Sequence, residues 1–400
     1  MDQKPSIINN QLSAEIAIVG GGMVGLAQGI ALAEQGISVV VIDREDPSKI
    51  VAQDFDGRVS AIAWKSVQLL KDVDAWQYIA PFAQPINDIR VSDNKSSLFT
   101  HFDHKEIGDE PFGFIVENRH TRAGLYKRAA QIRKLKLLAP YEIVDVDFKN
   151  RVIKTNRAPM TINYQMLIGA DGKFSKMREL AGIEVYERSY KQTGIVCTIE
   201  HEFSHGGLAH EKFLPAGPFA VLPMQGNRSS LVWTEPTELA HIYMEMSDAD
   251  FLHEIYKRCD YLGKIKLVNS NQKGCWSYPL SLLHAQKYTA KNFALIGDAA
   301  HSIHPIAGQG VNLGFRDVIE LTRLIMASRK LGLQAGSALP EYERNRRFDN
   351  SMMIAATDIL NRLFSNNILP LRLARDMGLG VVNEISPLKR LFMKYASGKR

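Results

Sequence analysis

The sequence predicts an α/β fold in which a nucleotide-binding lobe is interleaved with an α+β lobe built on an antiparallel sheet, followed by a helical C-terminal segment. Near both ends of the chain, at 15–35 and 293–321, a short apolar strand runs into a glycine-containing turn and then a helix. Between them, residues 195–234 form short apolar or alternating stretches separated by Gly, Pro and Asn, which is typical of antiparallel strands. The chain is therefore expected to leave the nucleotide-binding lobe and return to it.

The N-terminal stretch has the pattern of a dinucleotide-binding turn. An apolar strand leads into G-x-G-x-x-G at Gly20, Gly22 and Gly25, and a helical pattern and a second strand ending at Asp43 follow. We expect Gly20 to permit a tight turn, Gly22 to let the backbone approach a pyrophosphate, and Gly25 to let helix and strand pack closely. Asp43 then lies where a carboxylate binds ribose hydroxyls. The order of these features predicts a Rossmann-like lobe.

The second glycine-containing turn lies near the other end of the chain. A short strand turns at Gly297 and Asp298 and leads through a loop into a helix. A buried Asp can accept hydrogen bonds from a chain of hydroxyls, and free N–H groups at the helix start favour a negatively charged ring or phosphate. The alternative is an ordinary strand, loop and helix with a capping Asp. The loop contains Pro305, Gly308 and Gly310.

A third motif lies between these two. Residues 166–178 read MLIGADGKFSKMR, a strand that runs into Asp171-Gly172 and then a helix. Taken alone, an Asp-Gly pair usually indicates a tight turn or a helix cap. Because all three motifs occur in this order, we interpret Asp171-Gly172 as part of a ligand-binding motif and not only as a turn or cap.

In these motifs the sequence resembles the single-component flavoprotein aromatic hydroxylases related to p-hydroxybenzoate hydroxylase. The segments GGGMVGLA, VENRHTRAGLY and GDAAHSIHPIAGQGVNLGFRD look most like the hydroxylases of ubiquinone biosynthesis, and the resemblance covers nearly the whole chain. It implies FAD as cofactor, NAD(P)H as transient electron donor, and O2 as co-substrate through a flavin C4a-hydroperoxide. The expected substrate is a polyprenylated phenol that is hydroxylated on its aromatic ring. The alternatives are a small soluble aromatic acid as substrate, or a flavin-binding scaffold of a quinone-biosynthesis complex.

The resemblance also implies roles for individual residues. Asp298 would hold the ribityl chain, Asp171 would lie near the pyrophosphate, and Arg58 would lie in a segment beside the flavin, with a solvated loop arginine as the alternative. No side chain is identified as a catalytic acid or base. The remaining flavin contacts that the resemblance implies are Asn118 and Arg119 along the ribityl and phosphate region, Pro305 near C4a, and Gly310, Val311 and Asn312 at the flavin ring.

The motifs divide the chain into interleaved domains. We expect a helix from about Val59 to Leu70 in the first part of the nucleotide lobe, and paired strands at 86–91 and 97–102 that cross into the second lobe. The predicted FAD-binding domain comprises residues 1–84, 105–182 and 285–340, the substrate domain 85–104 and 183–284, and the helical C-terminal region 341–400.

Composition limits the functional classes. The cysteines Cys197, Cys259 and Cys275 form no C-x-x-C pair, and His301 and His304 lie in a glycine-rich loop without nearby carboxylates, so we expect no metal site. No aromatic-interleaved basic patch indicates nucleic acid binding. The N-terminus lacks a signal pattern and no long apolar run occurs, which predicts a cytoplasmic protein.

The last sixty residues carry much of the net charge of +6, with eleven Lys and Arg against six Asp and Glu. Apolar residues alternate with these basic residues. Such a tail suits peripheral contact with the inner membrane or with other quinone-biosynthesis proteins. Packing as amphipathic helices on the body of the enzyme is the equally weighted alternative.

Overall fold

A computed structural model of the 400-residue chain describes residues 7–8, 10–52, 56–93, 99–158, 161–268, 274–303, 308–364 and 386–398. Helices and strands are numbered in chain order. The strands are β1 Ile7–Ile8, β2 Gln11–Val19, β3 Val39–Ile42, β4 Val59–Ala63, β5 Gln84–Ile86, β6 Asp88–Asp93, β7 Phe99–Asp103, β8 Gly113–Glu117, β9 Leu135–Leu138, β10 Ile143–Asp147, β11 Val152–Thr155, β12 Thr161–Gly169, β13 Val185–His201, β14 Leu208–Leu214, β15 Gly217–Met224, β16 Arg228–Pro236, β17 Ile265–Leu267, β18 Cys275–Ala285, β19 Thr289–Ala290, β20 Phe293–Leu295 and β21 His301–Ser302. The helices are α1 Met23–Glu34, α2 Pro47–Val51, α3 Trp64–Asp72, α4 Trp76–Ile79, α5 Asn118–Ala129, α6 Lys176–Leu180, α7 Thr237–Glu245, α8 Asp248–Tyr256, α9 Gly310–Lys330, α10 Leu339–Phe364 and α11 Ser386–Ser397.

The first sheet is mostly parallel. Strands β20, β12, β2, β3 and β9 run in the same direction, and β1, β10, β11 and β19 extend the sheet in antiparallel pairs. All four residues of β3 are buried, as expected for a strand covered on both faces. The helices α1 and α9 pack against each other beside this sheet. This is the predicted nucleotide-binding architecture.

The second sheet is mostly antiparallel. Its main strand order is β21-β18-β13-β16-β15-β14-β6-β7, with β17 also paired to β13. All of these pairs are antiparallel except β14 with β6. Helices α7 and α8 cover one face, where Trp233 and Phe251 lie in a buried apolar cluster. The expected antiparallel lobe and the paired strands that cross into it are therefore present.

A small third sheet, β4-β8-β5, was not predicted. We expected a helix from about Val59, and this expectation is wrong for Val59–Ala63, which form β4, and right from Trp64 onwards. Residues Val59–Ala63 pair with Gly113–Glu117, about fifty residues away, and this non-local pairing overrides the local helical pattern.

The C-terminal region is helical where it is described. On α11, Met393 is buried in a cluster with Ile86, Phe112 and Ile115, and the Lys389 ammonium group lies 2.6 Å from the Glu106 carboxylate. This helix therefore packs on the body of the protein. None of the helices in the described ranges is long and apolar enough to cross a membrane.

Candidate functional site

The three predicted motifs meet at one edge of the parallel sheet. Gly169, the last residue of β12, pairs with Val19 of β2 and with Leu295 of β20. Because the three strands are parallel and in register at these ends, the turns that follow them leave the sheet side by side. The sheet thereby brings together segments that are more than a hundred residues apart in the sequence.

Two glycines of the first turn are required by protein packing. Gly20 has a φ of +109°, and a Cβ atom there would lie 2.2 Å from the Ala170 carbonyl oxygen. A Cβ atom on Gly25 would lie 1.9 Å from the Gly20 carbonyl oxygen. Gly22 differs, because no protein atom lies within 4 Å of its Cβ position and its φ of −71° is accessible to any residue. Space for a ligand at Gly22 therefore remains open.

The Asp43 carboxylate lies directly beneath this turn. One oxygen accepts a hydrogen bond from the Gly21 N–H and the other accepts from the Glu45 N–H at 2.6 Å. Burial raises the pKa of Asp43 despite these hydrogen bonds. The Tyr126 hydroxyl also donates to the Gly21 carbonyl oxygen at 3.2 Å, a contact that no feature of the sequence predicts. The predicted ribose contact of Asp43 stays a prediction.

The Asp171 side chain stabilises the turn in which it lies. Its carboxylate accepts hydrogen bonds from the Ser175 hydroxyl at 2.5 Å and from the Met177 N–H at 3.0 Å, while Ser175 caps α6. The turn-and-cap explanation therefore accounts for its side-chain contacts. Arg178 joins two motifs, since its guanidinium donates to the carbonyl oxygens of Lys173 at 3.0 Å and Ala299 at 2.8 Å. The proximity of Asp171 to a pyrophosphate stays a prediction.

Asp298 directly follows Gly297 in the last of the three turns. Its side chain is exposed to solvent, yet burial by the surrounding protein raises its pKa. The two observations agree if the carboxylate lies at the bottom of a space that a ligand can enter. Gly297 has a φ of +60°, which favours glycine, and its Cβ position lies 3.3 Å from the Val24 side chain at the start of α1. The first and last motifs are thus in contact.

A buried ionic network supports the turn at Gly297. Asp317, on α9, is fully buried and accepts hydrogen bonds from the Gly297 N–H at 2.9 Å and the Arg346 Nε at 2.7 Å. His301 Nε2 lies 2.6 Å from the same carboxylate. Burial would raise the pKa of Asp317, but His301 and Arg346 outweigh burial and hold the pKa below its usual value. Sequence reasoning missed Asp317, although a charged residue within the apolar face of a helix is a visible signal.

Asn312 holds the start of α9 against the small third sheet. Its amide oxygen accepts from the Ala63 N–H and the Ser66 hydroxyl, both at 2.9 Å, and its amide nitrogen donates to the Ala61 carbonyl oxygen at 2.8 Å. The side chain is therefore fully used in positioning the helix.

The residues just before Asn312, at the start of α9, differ in how much space surrounds them. Gly308 has a φ of +61°, and its Cβ position lies 3.1 Å from the Ala61 side chain. Gly310 has no protein atom within 4 Å of its Cβ position, and Val311 is partly buried. The start of α9 thus has open space at Gly310. Pro305 and His304 lie outside the described residues.

The remaining predicted contacts lie together beside the third sheet. The Asn118 N–H donates to the Arg58 carbonyl oxygen at 3.0 Å, and the Asn118 amide oxygen accepts from the Ser60 hydroxyl at 2.6 Å. Arg58 is exposed and forms an ion pair with Asp56. Arg119 forms an ion pair with the buried Glu117 at 2.7 Å. A cavity of about 110 Å³ adjoins this cluster and is lined by Phe82, Ile115, Glu117, Arg119, His120, Met224, Gln225 and Arg228.

No group of three His, Cys, Asp or Glu side chains in the described part of the chain could hold a metal ion. The site instead combines a Rossmann-like glycine turn, a deep carboxylate at Asp298 and a helix start with open surroundings at Gly310. Together with the open space at Gly22, these features fit a long ligand with a pyrophosphate, a hydroxyl chain and a ring. The fold and site thus define a dinucleotide-binding enzyme whose residues suit FAD.

Comparison with known proteins identifies the family. The profile of the family described as "FAD binding domain" matches residues 13–354. The chain is 46% identical to the ubiquinone hydroxylase UbiL of Rhodospirillum rubrum over 96% of this chain and 90% of that protein. It is 35% identical to the 3-demethoxyubiquinol 3-hydroxylase of Escherichia coli over 96% and 98% of the two chains.

A solved structure shares the fold. The crystal structure of p-nitrophenol 4-monooxygenase PnpA from Pseudomonas putida DLL-E4 matches with a TM-score of 0.79 and 18% identity, over 97% of this chain and 99% of that one. The chain belongs to the FAD-binding family, and the expected fold, FAD cofactor and class of FAD-dependent aromatic-ring hydroxylases are confirmed.

Proposed function

We propose that this enzyme hydroxylates the aromatic ring of a polyprenylated phenol in ubiquinone biosynthesis, with NAD(P)H as transient electron donor and O2 as co-substrate. The observation that carries the proposal is the similarity to two ubiquinone-pathway hydroxylases, which extends over 96% of the chain and so includes both lobes. Similarity over both lobes supports a substrate of the same class as well as the same cofactor, whereas similarity limited to one lobe would support only the cofactor.

We assign the flavin contacts as follows. Gly22 receives the pyrophosphate, since its open surroundings leave room for phosphate oxygens at the start of α1. Asp43 binds the adenosine ribose. Asp298 binds the ribityl hydroxyls, because its carboxylate is accessible although protein surrounds it, and it can replace water as the hydrogen-bond acceptor of these hydroxyls. Asn118 and Arg119 lie along the ribityl and phosphate region, and Arg58 is in the segment beside the ring. Gly308 is assigned to the flavin ring, and Pro305 is assigned to it from its place in the sequence motif alone.

When bound, FAD would supply the redox chemistry of the reaction, with NAD(P)H as the electron donor and O2 as the source of the transferred oxygen atom. The protein supplies position and charge. The N–H groups of Gly310, Val311 and Asn312 lie in the first turn of α9, where the helix dipole favours negative charge at the ring. Asn312 fixes the direction of these groups through its hydrogen bonds to the third sheet.

We further propose the domain division given by the motifs: residues 1–84, 105–182 and 285–340 bind FAD, 85–104 and 183–284 bind the substrate, and 341–400 form the helical C-terminal region. The strand composition of the two large sheets supports this division, since β6, β7 and β13–β18 build the antiparallel sheet. Strand β21 pairs with β18 and so joins the two lobes close to the turn at Gly297.

We propose a cytoplasmic enzyme that binds peripherally to the inner membrane, where its prenylated substrate is dissolved. An exposed apolar stripe on α10 supports this location: Phe348, Met352 and Ile359 are 71%, 55% and 62% exposed and lie on one side of the helix. Replacing all three with Ser should reduce sedimentation with anionic phospholipid vesicles. The matched control is Leu331→Ser, which removes an equally exposed apolar side chain elsewhere. Equal sedimentation of both variants would refute the role of the stripe.

The function is tested with the purified, FAD-loaded enzyme, NADH or NADPH, 18O2 and a prenylated phenol in detergent. The expected product is heavier than the substrate by one 18O atom, and its formation depends on the phenol. Hydroxylation of a small aromatic acid but not of the prenylated phenol would favour the alternative substrate class. Full FAD occupancy without phenol-stimulated NAD(P)H oxidation would favour a scaffold.

A further inference from the structure

One buried carboxylate of the antiparallel sheet has no role in the site described above. Glu211 lies in the middle of β14, between His210 and Lys212. Those two neighbours point toward the helical cover of the sheet, since His210 Nδ1 lies 3.3 Å from the Tyr261 hydroxyl and Lys212 Nζ donates to the Arg258 carbonyl oxygen. Successive side chains of a strand point to opposite faces. Glu211 therefore points away from the helices.

The strands beside Glu211 carry small apolar residues at the matching positions. Glu211 pairs with Val91 on β6 and with Ala220 on β15, and Ala220 in turn pairs with Val232 on β16. Val196 on β13 follows in the same row. On β6, β14, β15, β16 and β13, the Glu211 carboxylate is therefore the one charged group of this row, beside short apolar side chains.

This face of the antiparallel sheet is directed at the loop before α9, which contains Gly308 and is assigned to the flavin ring. Met224 and Ala209, on the same face, lie in one apolar cluster with Ala61 of the third sheet. The Ala61 side chain lies 3.1 Å from the Cβ position of Gly308. At the other end of the row, Trp276 on β18 lies against Gly57, next to Arg58. The space in front of Glu211 thus lies between the sheet and the elements assigned to the flavin ring.

The Glu211 carboxylate has no hydrogen bond or ion pair with any residue that the structure describes. Burial raises its pKa to about 7 from the ordinary 4.5, with no opposing charge. The side chain nevertheless keeps some accessible surface. Glu211 is thus a carboxylate that is largely surrounded by protein, keeps some accessible surface, and faces the elements assigned to the flavin ring.

We propose that Glu211 is the base that accepts the proton of the substrate's phenolic hydroxyl. This inference rests on the proposed function and names a catalytic residue for it. A free phenol has a pKa of about 10. The pKa of an ordinary glutamate lies more than 5 below that of the phenol, whereas the raised pKa of Glu211 lies about 3 below it. Glu211 is therefore a better acceptor of the phenolic proton than an ordinary glutamate.

The proton transfer fits the overall reaction. The phenolic proton passes to the Glu211 carboxylate, and the resulting phenolate has a more electron-rich ring. A ring carbon then forms a bond to one oxygen atom from O2 and afterwards loses its own proton, while the other oxygen atom leaves as water with the two electrons from NAD(P)H. Glu211 returns its proton to the phenolate oxygen of the product. The carboxylate is thereby regenerated and the reaction consumes one external proton.

Other titratable groups border the same space and belong in the interpretation of any pH profile. Tyr278 lies near Arg58, and burial raises its pKa. The remaining groups on the surrounding elements are Asp93 on β6, Glu117 with Arg119, His120 and Arg228, the Asp56–Arg58 pair, and the Glu106–Lys389 pair.

The test uses the FAD-loaded enzyme and a series of phenols that carry one short prenyl group and increasing ring fluorination, which makes the phenol more acidic. Glu211→Gln should slow hydroxylation of the unfluorinated phenol by about 10²- to 10⁴-fold. Acidic members of the series should recover most of the rate, because they ionise without a base. The matched control is Glu235→Gln, a buried glutamate on the opposite face whose pKa burial also raises and which accepts a hydrogen bond from Trp233 Nε1.

A second readout does not depend on turnover or on the variant folding. The phenol should bind the wild-type enzyme more tightly as the pH rises through the titration of Glu211, because the ionised carboxylate accepts a hydrogen bond from the phenolic hydroxyl. The matching methyl ether cannot donate this hydrogen bond and should lack the pH dependence. A phenol whose affinity follows the same pH profile as that of its methyl ether would overturn the proposal. So would an equal rate loss in Glu211→Gln across the whole series. Absence of hydroxylation by the wild type would instead refute the proposed function itself.

Discussion

Replacing Asp317 with Ala should destabilise the enzyme and release FAD. The carboxylate is fully buried and accepts hydrogen bonds from Gly297 N–H, His301 Nε2 and Arg346 Nε at 2.9, 2.6 and 2.7 Å. Its removal leaves the buried Arg346 guanidinium without its main counter-charge. Breaking a buried ion pair by removing one partner costs about 3–5 kcal/mol. In a protein of this size, that corresponds to a fall in Tm of roughly 4–6 °C.

The measurement is thermal unfolding followed by circular dichroism, together with flavin fluorescence as FAD is released. FAD should leave at a lower temperature than the secondary structure melts, because Asp317 holds the turn that carries Asp298. Arg323→Ala is the control: it removes an exposed ion pair with Glu320 on the same helix and should cost less than about 1 kcal/mol. A Tm for Asp317→Ala within 1 °C of the wild type, with normal FAD content, would refute the assignment.

Three further changes test separate parts of the account. Asp298→Ala should lose FAD and activity together, as measured by flavin absorbance of the purified protein, and a variant with normal flavin stoichiometry would contradict the ribityl assignment. Gly22→Val should fold normally but bind no FAD, because its Cβ position is free of protein atoms, whereas Gly25→Val should fail to fold. Burial lowers the pKa of His210 to about 4, so the unfolded chain binds its proton first and stability falls as the pH drops from about 6.5 to 4. Between pH 7.5 and pH 5, the free energy of unfolding measured in urea should therefore fall by about 2 kcal/mol less in His210→Asn than in the wild type. An equal fall in both proteins would contradict the burial of a neutral imidazole.

The sequence was informative where the signal is local. Each motif is a strand, a turn and a helix in continuous order, so Gly20, Gly25 and Gly297 could be recognised and placed at the end of a strand. Parallel strands bring such turns to one edge, which is why the meeting of the three motifs followed from the predicted sheet.

The parts that could not be predicted depend on non-local contacts. Strand β4 exists because Val59–Ala63 pair with a segment about fifty residues away. Asn312 was expected at the flavin ring, but only the folded structure reveals that its side chain is bonded to Ala61 and Ala63 of that strand. Likewise, alternation along β14 places Glu211 and His210 on opposite faces, but which face is directed at the cofactor depends on the third sheet.

The central claim is that a prenylated phenol is the substrate in the cell. The most direct measurement is mass spectrometry of quinone-pathway lipids from the source organism with this gene deleted, complemented either with the wild-type gene or with the Asp298→Ala variant. A prenylated phenol lacking one hydroxyl should accumulate in the deletion strain and in the Asp298→Ala strain and should disappear with the wild-type gene. Unchanged ubiquinone and no such intermediate, in a strain without a second hydroxylase for the same step, would contradict it.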